Sequence, residues 1–151
     1  EIGSHSFSHP QITTLTSDEI EYQFAETEHR IQQYVPYTTK LVRPPYGQIT
    51  QSLKEVLQKT FVLWSIDTQD WKTRDKDAIV SEVLNNVKDG DIILMHDMYS
   101  TTADACEELI PALIERGYQL VTVSELLNAK EITPVAGSVY SRVLSTGNAA
   151  S

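Results

Sequence analysis

Short apolar runs alternate with amphipathic helical segments along most of this 151-residue chain. That alternation is the strongest constraint on its fold. "LTSDEIEYQFAETEHRIQQY" opens with a capping box, Thr16 to Glu19, and puts Ile20, Phe24 and Ile31 on one helical face with Thr27 between them. "KLV" (40–42) reads as a short strand stopped by Pro44, Pro45 and Gly47. "TQSLKEVLQK" reads as a helix with Leu53, Val56 and Leu57 inward, and "FVLWSI" (61–66) as one strand covered on both faces. A helix over "DKDAIVSEVLNNV", capped by Asp75, leads to a second buried strand, "DIILMH". "ADACEELIPALIER" is helical, with Pro111 as a kink or a boundary between two pieces and Gly117 just past its end. "QLVTV" reads as a third strand, followed by a short helix capped by Ser124 and running through Leu127. Strand, helix and strand joined by short connections predict a parallel sheet with crossover helices.

From about Ala129 the pattern fails, and the chain turns rich in Gly, Ser, Thr and Ala. The expected organisation is one domain over 1–128 and an extension over 129–151, partly extended around Ser138 to Leu144 and otherwise loose. Against 21 acidic residues stand 12 Lys and Arg, a net charge of −9. No basic stripe exists to displace counterions, which argues against a nucleic acid partner. The single cysteine, Cys106, rules out an intrachain disulfide and reads as a small packing residue. No apolar run approaches the length of a transmembrane segment.

In parallel α/β sheets ligands bind beyond the carboxyl ends of the strands. Four consecutive strand ends here carry polar residues: His5 after "EIG", Arg43 after "KLV", Asp67 and Asp70 after "FVLWSI", His96 and Asp97 after "DIILM". In "HSFSHP", His5 and His9 stand four apart, a spacing that lets two imidazoles on one turn share a metal. Pro10 biases His9 away from helical dihedrals, so the turn should be short and irregular. Two histidines remain an incomplete site, since a catalytic zinc takes three protein ligands. A pair of structural histidines is the competing reading. "RPPYG" aims Arg43 from a stiff loop, or else forms a solvated surface turn. Asp70 beside His96 would favour and orient a charged imidazole, making His96 a general acid; alone, each reads as structural. Trp71 offers an apolar wall or a packed core ring. His29, among charged residues on a helix, reads as solvated.

Taken in order, "HSFSHP", "RPPYG", "DTQDW" and "LMH" resemble four motifs of the polysaccharide deacetylases of carbohydrate esterase family four. Each motif is weak alone and the ordered set is specific. The resemblance covers about Glu1 to Leu127 and is greatest to the peptidoglycan N-acetylglucosamine deacetylases of Gram-positive bacteria. It implies a distorted (β/α) barrel, here without its first strand or strands. The implied activity is removal of acetyl groups with a divalent metal, zinc first, with cobalt or manganese in its place. On that resemblance His5 and His9 are metal ligands, and Arg43 steadies the catalytic aspartate. The backbone N–H of Tyr46 holds the oxyanion, Asp70 pairs with His96, the acid to the leaving amine, and Trp71 and Leu94 wall the acetyl pocket. An extracellular or cell-surface location and a peptidoglycan substrate follow from the resemblance only.

The family's first motif, two adjacent aspartates supplying the general base and the third metal ligand, has no counterpart, because no Asp-Asp pair occurs in the chain. The expectation is therefore that Glu1 marks a cut, and that a companion fragment carries the base and the third ligand. Three alternatives remain at this point: O-deacetylation of acetylated xylan with the same residues, chitin deacetylation, and a non-catalytic sugar-binding domain that kept the pocket without the base.

Overall fold

The structure, a computed structural model, describes residues 1–144; the part of the expected C-terminal extension over 145–151 lies outside the described residues. Its elements run in the order α1 (Ser17–Gln32), β1 (Leu41–Val42), α2 (Gln51–Leu57), β2 (Thr60–Val62), β3 (Ile66–Asp67), α3 (Asp70–Thr73), α4 (Lys76–Asn86), β4 (Ile93–Leu94), α5 (Ser100–Glu115), α6 (Val123–Ala129) and β5 (Val139–Tyr140). All strand pairs are parallel: β1-β2-β5 in one sheet and β3-β4 in another. The alternating α/β pattern of the sequence is thus realised, with parallel strands as predicted. The chain divides into two compact units, Glu1–Leu63 with Thr133–Tyr140, and Trp64–Ile132 with the described residues from Ser141 on.

In the first unit, α1 starts where the sequence says it must. Thr16 Oγ1 accepts from Glu19 N–H, and Glu19 Oε2 accepts from Thr16 N–H at 2.8 Å, the reciprocal capping box. Asp18 and Glu19 in its first turn and His29 and Arg30 in its last complement the helix dipole. Its buried face, Ile20 and Phe24, packs with Ile12, Val42, Leu53 and Phe61. Because β1 and β2 supply Val42 and Phe61 to that core, α1 is fixed against the sheet by burial rather than by propensity.

The second unit is built around α4 and α5. Ile79, Val80 and Val83 of α4 meet Ala105, Leu109 and Leu113 of α5 over Ile66. Asp75 caps α4 by accepting from Ala78 N–H at 3.0 Å. The C-terminus of α5 closes at Gly117, φ 86°, where Gly117 N–H bonds Ile114 O and Tyr118 N–H bonds Leu113 O. That pair of bonds is the Schellman arrangement, which needs a left-handed residue.

Four expectations change. "FVLWSI" is not one strand: β2 and β3 belong to different sheets, because Leu63 N–H bonds Tyr140 O while Ser65 N–H bonds Ile92 O, so the ladder changes partner across Trp64. α5 continues through Pro111 as a single helix, starting at Ser100. "QLVTV" forms no strand; Leu120 and Val121 stay exposed, and apolar alternation without a neighbouring backbone to pair with makes no ladder. α6 is capped by Thr122, not Ser124, through a second capping box with Glu125.

Gly90 closes the turn into β4 with φ 85°, and a Cβ there would lie 1.9 Å from Val143 O. Gly90 O also accepts from Val143 N–H at 2.8 Å. Gly90→Ala must therefore break that contact and strain the backbone, at a cost of about 3 kcal/mol. Urea unfolding checks it; a cost below about 0.5 kcal/mol, the scale of an ordinary surface substitution, would show that the segment at Val143 yields freely.

Candidate functional site

The first unit carries His5, His9, Arg43 and Tyr46. Ser4 lies parallel to β1, its N–H on Leu41 O at 2.9 Å and its carbonyl receiving Arg43 N–H at 3.0 Å. His5 and Arg43 consequently emerge together at the carboxyl end of β1. His5 Nδ1 is 2.5 Å from Arg43 O. A carbonyl oxygen only accepts, so Nδ1 carries a proton. Residues 5–9 form an irregular loop rather than a helical turn, as Pro10 leads one to expect: Ser6 and His9 take φ of 68° and 57°. Each left-handed non-glycine residue costs on the order of 1 kcal/mol. The irregular loop still brings the rings together, with His5 and His9 centroids 5.0 Å apart. The His9 ring also sits 4.7 Å from that of Tyr46, which is exposed and has φ 57°. Two imidazole nitrogens in this arrangement suit zinc, cobalt or other borderline divalent cations. Among the described residues no group of three or more His, Cys, Asp and Glu side chains is placed to hold a metal.

Arg43 is half-buried, and burial lowers its pKa by stripping water from the guanidinium. It receives little in return: Nη2 reaches Leu63 O at 3.4 Å, and the buried Nε has no hydrogen-bond partner among the described residues.

The second unit carries Asp70, Trp71, Leu94 and His96. Asp70, the first residue of α3, is 0% exposed. Its Oδ1 accepts from His96 Nδ1–H at 2.7 Å and from Trp71 N–H at 2.9 Å. Its Oδ2 accepts from His96 N–H at 2.6 Å and from Thr102 Oγ1–H at 2.9 Å. Burial pushes the Asp70 pKa up, but the hydrogen bonds from the His96 ring, the His96 backbone and Thr102, and the charge of protonated His96, outweigh it. The net result lies below the usual carboxylate value. With Nδ1 committed to Asp70, Nε2 is the ring nitrogen that faces other partners. Leu94 is buried at the end of β4, its carbonyl accepting from Thr68 Oγ1–H at 2.8 Å, whereas Trp71 stands 50% exposed. Cys106 lies in α5 beside Met95 (Sγ to Sδ 3.7 Å), and burial together with the Asp70 charge raises its thiol pKa, which keeps it unreactive.

Two contributors were missed. Thr102, on α5, completes the Asp70 shell, and Gln23, on α1, accepts from the backbone N–H groups of Phe7 and Ser8. Neither has a local signature, since each partner lies 15 or more residues away in sequence.

The first unit thus presents paired imidazoles beyond one strand end, and the second a buried Asp–His pair beyond another. The pattern of the polysaccharide deacetylase family matches residues 1–62. The peptidoglycan-N-acetylmuramic acid deacetylase PdaC of Bacillus subtilis is 45% identical over 87% of this chain and 28% of its own. Its solved structure superposes with a TM-score of 0.85, covering 65% of the solved chain. The peptidoglycan-N-acetylglucosamine deacetylase PgdA of Listeria monocytogenes is 35% identical over 86% of this chain and 28% of its own. A family 4 acetyl xylan esterase from Clostridium thermocellum, solved with a cobalt ion, is 32% identical with a TM-score of 0.89, over 95% of this chain and 72% of the esterase chain. The chain belongs to the polysaccharide deacetylase family, carbohydrate esterase family four. It spans less than a third of the length of the first curated relatives it matches.

Two predictions follow from the charges. Asp70→Ala strands the donors of His96 and Thr102 and costs about 3 kcal/mol at neutral pH. Because the folded-state pKa is depressed, the stability Asp70 contributes is full above the unfolded value of about 3.9 and is lost as pH falls through the lower folded value. The Tm gap between the native protein and Asp70→Asn should therefore narrow below about pH 4. A gap independent of pH would mean that the carboxylate gains nothing from the fold. Arg43→Met removes a half-buried charge with few partners among the described residues, and it should leave stability unchanged or raise it by about 1 kcal/mol. A loss of stability by denaturant melt would assign Arg43 a structural role instead.

Proposed function

We propose that this chain carries most of the working groups of a metal-dependent deacetylase that hydrolyses N-acetyl groups of peptidoglycan N-acetylglucosamine. The observation that carries the reading is the Asp70–His96 pair: a buried carboxylate fixing one ring nitrogen of a partly exposed histidine at a strand end. That is the equipment for delivering a proton to a poor leaving group, and an amide nitrogen is one. The similarity to peptidoglycan deacetylases supports the substrate class. A peptidoglycan substrate in turn implies an extracellular or cell-surface location.

In this reading His5 and His9 hold a divalent cation through their ring nitrogens, zinc or in its place cobalt or manganese. Such an ion, when bound, polarises the acetyl carbonyl and lowers the pKa of water. The Tyr46 N–H donates to the oxygen of the tetrahedral intermediate as its charge develops. His96 Nε2 protonates the departing amine while Asp70 holds the ring. Arg43 offers its under-used guanidinium to a carboxylate, the general base of the family's first motif. That base and a third metal ligand come from a companion segment bearing the aspartate pair. Trp71 and Leu94 wall the acetyl group.

A second reading, O-deacetylation of acetylated xylan, is favoured by the likeness to the Clostridium thermocellum esterase. Acetate release by the full-length protein from N-acetylglucosamine and N-acetylmuramic acid oligomers, and from acetylated xylan, separates the two. His96→Ala should lower amide hydrolysis by about 10²-fold or more and hydrolysis of an activated ester far less. Equal losses on both would remove His96 as the acid to nitrogen. Oligomer binding without acetate release by the metal-loaded protein would make the chain a sugar-binding domain.

A further inference from the structure

The loop that holds His5 and His9 has no regular structure of its own, and two of its residues, Ser6 and His9, keep unfavourable positive φ angles. Within the loop, His9 N–H donates to Ser6 Oγ at 3.1 Å. From outside, α1 reaches its middle: Tyr22 and Arg30 lie against the Phe7 ring, at 6.4 and 5.9 Å, and Gln23 bonds the backbone itself. Gln23 Oε1 accepts from Phe7 N–H at 3.1 Å and from Ser8 N–H at 2.8 Å, and Gln23 Nε2 donates to Ser8 Oγ at 2.9 Å. Phe7 lies two residues after His5, and Ser8 immediately precedes His9. Gln23 is well anchored, since Ile20 and Phe24, three residues before it and one after, are buried in the core of the first unit. An amide oxygen has two lone pairs, so it can take two successive backbone donors at once.

We propose that Gln23 is a positioning residue for the paired imidazoles: by pinning the backbone at Phe7 and Ser8 to α1, it holds the strained loop in the conformation that keeps His5 and His9 preorganised for a divalent cation. The inference rests on His5 and His9 being metal ligands. A strained loop without this tether relaxes, and the cation must then reorder it on binding, which lowers affinity. Gln23 touches neither imidazole, so it acts through the loop alone.

The test is cobalt binding to the full-length protein, followed by calorimetric titration and by the visible absorption of the bound ion. Gln23→Leu removes the acceptor at similar size and should weaken cobalt affinity about tenfold, the scale set by groups that orient metal ligands. Gln23→Ala, which keeps helix propensity, supplies the same measurement if Gln23→Leu does not fold. Gln23→Glu retains acceptor oxygens and should bind within about threefold of the native protein. Unchanged affinity in Gln23→Leu and Gln23→Ala, with or without a lower metal-free Tm, overturns the proposal. So does a tenfold loss in Gln23→Glu equal to that in Gln23→Leu. His5→Ala separates the two layers. If it binds cobalt as the native protein does, the metal reading fails and this inference falls with it. If it loses binding while the Gln23 variants do not, only the role of Gln23 falls.

Discussion

The carboxylate of Asp70 takes no water and accepts four hydrogen bonds, from Trp71 N–H, His96 N–H, His96 Nδ1–H and Thr102 Oγ1–H. A carboxylate offers about four lone-pair directions, so every one is used inside the protein. This makes the burial of a charge tolerable, since an unpaired carboxylate in an apolar interior would be protonated instead. It also joins three pieces of chain: the first turn of α3, the residue beyond β4 and the first turns of α5. Because His96 is bound through both its backbone and its ring, neither the position nor the rotation of the imidazole is free. The placement of the His96 ring is set by one buried group.

The first unit reaches comparable order by different means. His5 is oriented by a main-chain carbonyl, that of Arg43, and the loop to His9 is held by the side-chain amide of Gln23. The price is local strain at Ser6, His9 and Tyr46, three non-glycine residues with positive φ clustered around the same two rings. Such strain persists only where the surroundings over-determine it. Here they are a core-anchored helix and the strand-like pairing of Ser4 with β1.

What the sequence disclosed was what is local. The capping box of α1, the Asp75 cap of α4 and the Gly117 terminus of α5 are each written within a few residues and each forms. The parallel α/β plan was legible because alternation of element types leaves few topologies. Strand limits were not, since "FVLWSI" and "QLVTV" are equally apolar yet pairing depends on where another backbone lies, and that is a tertiary fact. The candidate site shows the same division. Paired histidines and strand-end carboxylates stand out by type and position, whereas Gln23 and Thr102 look like any polar residue of an exposed helix face until the chain is folded.

Asp70 and Arg43 complete the contrast, because both carry charge away from water and the fold treats them oppositely. Asp70 is repaid in full by donors, and its pKa falls. Arg43 is left with a long contact to Leu63 O and a buried Nε without a partner among the described residues, and its pKa falls as well, which for a cation is the direction of instability. For the acid, the shift records satisfaction; for the base, it records want. A protein selected only for stability would replace such an arginine with an apolar residue. Arg43 nonetheless stands at a strand end, directly after Val42, which packs into the core.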